Sequence, residues 1–133
     1  MSNYVITPEE FTKILSVICS RDTSVDPLSW SETNPLWGHC AVVALLAQDL
    51  FGGVLIRESL AEVEGLEHIR SHYLNFCADG IERDFTYMQF KAGLPNNLSR
   101  EERERERILS YGDTQKRYEI LKERFGEVTR NQK

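Results

Sequence analysis

Three side chains of this sequence could together perform nucleophilic chemistry: Cys40, His72 and Asp84. A cysteine sulfur attacks a carbonyl carbon, a histidine takes its proton and later returns one to the leaving group, and a carboxylate holds the imidazole in the useful tautomer. Cys40 opens the apolar run Ala41-Val42-Val43-Ala44-Leu45-Leu46, after the turn-prone approach Asn34-Pro35-Leu36-Trp37-Gly38-His39. It is therefore expected in the first turn of a helix, where unpaired N–H groups and the positive end of the dipole favour a thiolate over a thiol. Its backbone N–H is also a candidate donor to the oxyanion of a tetrahedral intermediate.

The remaining candidates take lesser roles. His39 is a poor base for its neighbour, because successive helical side chains diverge by about 100°. It is expected to line the cleft with Trp37 and Tyr73, or to raise the local positive potential. His68 reads as a surface residue. Cys19 adjoins an apolar helical stripe and reads as a small structural hydrophobe, and Cys77 as structural or mildly exposed. A metal site from His39, Cys40, His72 and Asp84 is the competing chemistry, but adjacent His and Cys seldom converge on one ion and no ligand-pair spacing supports it. No metal and no cofactor is expected.

The elements that must position these groups can be read in turn. A chain of 133 residues with 41% hydrophobic and 28% charged side chains fits one domain with a modest core. Thr7, Pro8 and Glu10 mark a capped helix start, and Phe11, Ile14, Leu15 and Ile18 recur on one face, predicting a helix over about 8–20. Residues 21–37 lack periodicity and read as a long loop whose Trp30 and Trp37 either pin it to the body or wall a cleft. The second helix, about 39–51, is apolar on nearly every side and is expected to be central and buried. Gly52-Gly53 ends it, and Val54-Leu55-Ile56 reads as a strand. Residues 60–68 read as a connection.

The register of one hairpin decides whether His72 and Asp84 can meet. Residues 69–77 and 81–86 flank Ala78-Asp79-Gly80. A two-residue Asp79-Gly80 turn would pair 78 with 81 and put His72 and Asp84 on opposite faces. A three-residue loop with left-handed Gly80 would pair 77 with 81 and Leu74 with Asp84, making His72 and Asp84 diagonal neighbours on one face.

Residues 1–98 form the expected core, and 99–133 an expected charged, helical extension of the same domain. Ser99 reads as the cap of a solvated helix through Arg100–Arg107, and a last helix from Asp113 or Thr114 carries the stripe Tyr118, Leu121, Phe125, with fraying final residues. These helices either fold back on the core or pair with another subunit, giving a candidate homo-oligomer. The first 98 residues hold 6 basic and 13 acidic side chains and the remainder 10 and 8, for a net charge of −5, which does not suit a phosphate-tracking surface. No nucleic-acid partner is expected. Three irregularly spaced cysteines suit a reducing, cytoplasmic setting. The N-terminus lacks the pattern of a signal peptide, and the apolar run is too short to cross a bilayer, so no membrane partner is expected.

Asn34-Pro35, Gly38-His39-Cys40-Ala41-Val42, Gln48-Asp49 with Phe51-Gly52-Gly53, Ser71-His72-Tyr73 with Asn75, and Asp84 with Thr86 and Gln89-Phe90 resemble the bacterial YunG-like family over residues 4–93. Their order resembles in turn the papain and transglutaminase type of cysteine enzyme. That resemblance implies an α+β fold, a central buried helix packed on a small antiparallel sheet, with Cys40, His72 and Asp84 as the triad. Asn34, six residues before the cysteine, then occupies the place of the side-chain oxyanion donor. The implied function is a cysteine hydrolase or acyltransferase acting on an amide, thioester or ester of a protein, a peptide or a small acyl compound. The alternative is a noncatalytic protein-binding module on a degenerate enzyme scaffold.

Overall fold

Helix α1 begins where the sequence supplies both halves of a capping box. Thr7 Oγ1 accepts the Glu10 N–H at 3.1 Å, and the Glu10 carboxylate accepts the Thr7 N–H at 2.9 Å. In the computed structural model, which describes residues 5–130, α1 spans Pro8–Ile18 and buries Phe11, Ile14, Leu15 and Ile18. The expectations placed on Met1 to Tyr4 and on the last three residues lie outside the described residues.

The segment that follows is long and irregular, apart from a 3₁₀ turn at Arg21–Thr23 and a bridge between Ser31 and Asn34. Both tryptophans tie it down. Trp30 Nε1 donates to the Pro35 carbonyl at 2.9 Å, and Trp37 Nε1 to Asp26 Oδ2 at 3.1 Å.

Helix α2, Cys40–Phe51, is the centre of the fold, with Cys40 and every residue from Val42 to Ala47 buried. An all-round apolar sequence has no wet face to offer, so protein must surround it. The turn out of α2 needs glycine. Gly52 and Gly53 have φ of +68° and +82°, and a Cβ on Gly53 would stand 2.0 Å from the Phe76 carbonyl oxygen.

Strands β1 (Val54–Ser59), β2 (Ser71–Phe76), β3 (Glu82–Arg83) and β4 (Arg100–Arg103) form one antiparallel sheet in the order β3-β2-β1-β4. Helix α2 is fastened to it by Asn75, whose side-chain amide donates to the Ala44 carbonyl at 2.9 Å. The β2–β3 hairpin takes the three-residue register. Phe76 pairs with Glu82, Cys77 N–H donates to the Ile81 carbonyl at 3.0 Å, and Gly80 closes the loop at φ +83°. The ladder ends at the Asn75–Arg83 pair, and Asp84, the next residue, reaches His72 on the neighbouring strand.

The charged tail departs from expectation. Residues 100–103, expected to be helical, form β4 on the outer edge of the sheet, and helix α3 is confined to Arg105–Leu109. Alternating charges suit an edge strand as well as a helix, and here cross-strand ion pairs decide. Arg100 bonds Glu58 at 3.1 Å and Glu82 at 2.9 Å, while Arg57 meets Glu101 at 3.6 Å. Helix α4, Thr114–Arg130, folds back on the body and buries Tyr118, Leu121 and Phe125. Arg105 links it to α2, bonding the Leu45 carbonyl at 3.1 Å, Asp49 at 3.0 Å and the Tyr118 hydroxyl at 2.7 Å. Among the described residues, no helix is long and apolar enough to cross a membrane.

Candidate active site

Cys40 is the first residue of α2, so its backbone N–H is one of the donors that a helix leaves without an intrahelical partner. The side chain is 5% exposed, and Sγ lies 3.6 Å from the Ser71 carbonyl oxygen. Strand β2 therefore passes directly beside the sulfur, with His72 as its next residue.

His72 is completely buried, and its ring packs edge-on against Phe90 with centroids 4.9 Å apart. Nε2 donates to Asp84 Oδ2 at 2.7 Å, and Asp84 Oδ1 in turn accepts the Thr86 N–H at 3.3 Å. Burial by itself would lower the imidazole's affinity for a proton. The hydrogen bond to Asp84, the nearby Cys40 sulfur and the charge of Asp84 outweigh it and push His72 up to about 10. The ring is thus cationic at neutral pH, held between a carboxylate and a sulfur. Its Nδ1 has no hydrogen-bond partner among the described residues.

The other expected site residues are distributed differently. His39 does not line the cleft. It is fully buried, with Nδ1 donating to the Trp37 carbonyl at 2.9 Å and Nε2 set 2.7 Å from Thr23 Oγ1, and burial lowers it to about 4. Trp37 is engaged by Asp26 and packs against Phe90, also away from the cavity. Tyr73 does line it. Asn34 donates its side-chain amide to the Gln89 carbonyl at 3.0 Å, which ties the approach to α2 onto the 3₁₀ turn Tyr87–Gln89. His68 is mostly exposed, 3.5 Å from Asp26. Cys19 is buried in the core, which pushes its thiol far up, and Cys77 is buried as well.

Gln89 was not among the residues the sequence singled out for chemistry. It is 2% exposed, its Oε1 accepts the Gly38 N–H at 3.0 Å, and its Nε2 has no partner among the described residues. Gln89 thus sits against the turn that precedes Cys40 and keeps one buried hydrogen-bond donor unused. Only the glutamine's folded neighbours reveal this; 49 positions of sequence separate it from the cysteine.

A cavity of about 570 Å³ opens on the other side of Cys40, lined also by Gly38, Ala41, Ser71 and Tyr73. His72 and Asp84 do not line it; of the three, only Cys40 does. Among the described residues no group of three or more His, Cys, Asp or Glu side chains is arranged to hold a metal ion.

The chain is similar to known proteins along most of its length. The family model described as YunG protein matches residues 7–130. A Bacillus subtilis (strain 168) protein described as "Uncharacterized protein YunG" is 32% identical over 117 residues, covering 88% of this chain and 90% of that protein. The likeness extends past residue 93, the end of the motifs quoted for the resemblance, and takes in β4, α3 and α4. No solved structure matches.

Proposed function

The chain belongs to the YunG protein family, and from the site it carries we propose that it is a cysteine hydrolase or acyltransferase of the papain or transglutaminase type. The observation that carries this reading is the 2.7 Å contact of His72 Nε2 with Asp84 Oδ2, made beside a cysteine at the start of a buried helix. Its substrates are amides, thioesters or esters, whether borne by a protein, a peptide or a small acyl compound.

Cys40 Sγ adds to the carbonyl carbon, forming a C–S bond as the carbonyl electron pair moves onto oxygen. The Cys40 N–H and Gln89 Nε2 are the donors for that oxyanion; Asn34 serves by holding the Gln89 turn in place. Collapse breaks the bond to the leaving amine, thiol or alcohol, which takes its proton from His72. Water or another acceptor then gives a proton to His72 and attacks the acyl carbon, and the C–S bond breaks to release Cys40. Asp84 keeps the ring oriented and stabilises its cationic form throughout.

Incubation with p-nitrophenyl acetate, followed by peptide mass spectrometry, tests the reading. An acetyl group on Cys40 that forms quickly in the wild type and slowly in His72→Ala supports it. No adduct on Cys40, or one that forms equally fast without His72, refutes it. One observation favours a noncatalytic binding module instead: His72 is sealed from the cavity that Cys40 lines. Partner capture that depends on residues 99–133 and is indifferent to Cys40 would support that second role.

A further inference from the structure

The cavity beside Cys40 has an unusual charge. Arg57, Arg70, Arg103, Arg107 and Arg117 all line it, with Glu101 as the single carboxylate among the lining residues. They arrive from separate places in the fold: Arg57 on β1, Arg70 just before β2, Arg103 on β4, Arg107 on α3 and Arg117 on α4. Like charges brought together repel, and the internal partners answer only part of this. Glu101 is shared between Arg57, at 3.6 Å, and Arg103. Arg117 is buried and occupied by Asp113 at 2.8 Å and the Thr23 carbonyl at 3.2 Å. Arg70 and Arg107 have no ion-pair partner among the described residues.

Arg70 also holds the only non-glycine positive φ among the described residues, +71°. That left-handed backbone is disfavoured for a side-chain-bearing residue, and glycine would adopt it without cost. An arginine stands there instead, at the cavity's edge.

We propose that this cavity binds a multiply charged oxyanion, a phosphate or polycarboxylate group, gripped by Arg70 and Arg107 with Arg57 and Arg103 behind them. About 570 Å³ is ample for a metabolite-sized ligand. Guanidinium groups match both kinds of oxyanion through paired N–H donors. Resting on the reading of Cys40 as nucleophile, the anion is the recognition handle of the acyl substrate, seated so that its carbonyl reaches the sulfur.

Calorimetric titration of the full chain with inorganic pyrophosphate and, separately, with citrate tests the site without requiring turnover. Binding of either probe should persist in Cys40→Ser and weaken by about tenfold or more in the Arg70→Gln/Arg107→Gln double variant. It should also weaken as salt rises. Both replaced residues are exposed, so the variant keeps its fold. The tighter of the two probes identifies the handle as phosphate or carboxylate. Absence of binding by both, or equal binding by wild type and double variant, overturns the proposal. A protein that binds pyrophosphate but never acylates Cys40 would keep the anion site and lose the catalytic reading, so the two failures are separable.

Discussion

His39 and His72 are both fully buried, yet one titrates near 4 and the other near 10. Burial acts on both in the same direction, against the cation. The difference lies in what each ring faces. His39 meets the Trp37 carbonyl and the Thr23 hydroxyl, neutral groups that satisfy a neutral imidazole, with the Arg117 charge nearby opposing protonation. His72 meets a carboxylate and a sulfur, which reverse the preference. One histidine is a core residue that ties the loop to α2, and the other is held beside a carboxylate and a sulfur that favour its protonated form.

The largest effect expected from breaking this contrast is at His72. His72→Ala should slow acylation of Cys40 by roughly 10²–10⁴-fold, read as the rate of adduct formation by mass spectrometry. Asp84→Asn keeps the ring's neighbour but removes its charge. Acylation should fall by about 10²-fold, and the His72 titration should move down from about 10. Thr23→Val strikes the other histidine by leaving His39 Nε2 without its hydroxyl. It should cost about 1–3 kcal/mol in denaturant unfolding and leave the Cys40 alkylation rate unchanged.

The contrast also shows in the pH dependence of stability, where the two rings act in opposite windows. Folded His72 binds a proton more tightly than its unfolded form at 6.5, so its contribution is full below pH 6.5 and is lost as pH rises through about 10. Folded His39 resists its proton, so stability from this site is present above pH 6.5 and falls as pH drops toward about 4. Thermal midpoints across pH should lose the alkaline decline in His72→Gln, whereas the acid decline should remain.

How much of this was legible in the sequence differs by element. The boundaries of α1 and α2 followed from local chemistry, a capping box in one case and an all-round apolar run ended by two glycines in the other. The hairpin could be narrowed to two registers, and Gly80 in its three-residue loop put His72 and Asp84 on one face. Residues 100–103 could not be read. A run of alternating Arg and Glu satisfies helical i,i+4 pairs and cross-strand pairs alike, and the choice rested on Glu58, Glu82 and Arg57, which lie far back in the chain. The same distance hid Gln89 and the arginine-lined cavity, because neither has a local spacing. The five arginines share a wall only after β4 joins the sheet and α3 and α4 fold over it.

The most direct measurement is the NMR titration of the His72 ring nitrogens, in the wild type and in Cys40→Ala. The account predicts that His72 remains an imidazolium until about pH 10 and releases its proton at lower pH once the sulfur is gone. A His72 that titrates at or below 6.5, as buried His39 does, and is indifferent to Cys40, would contradict it.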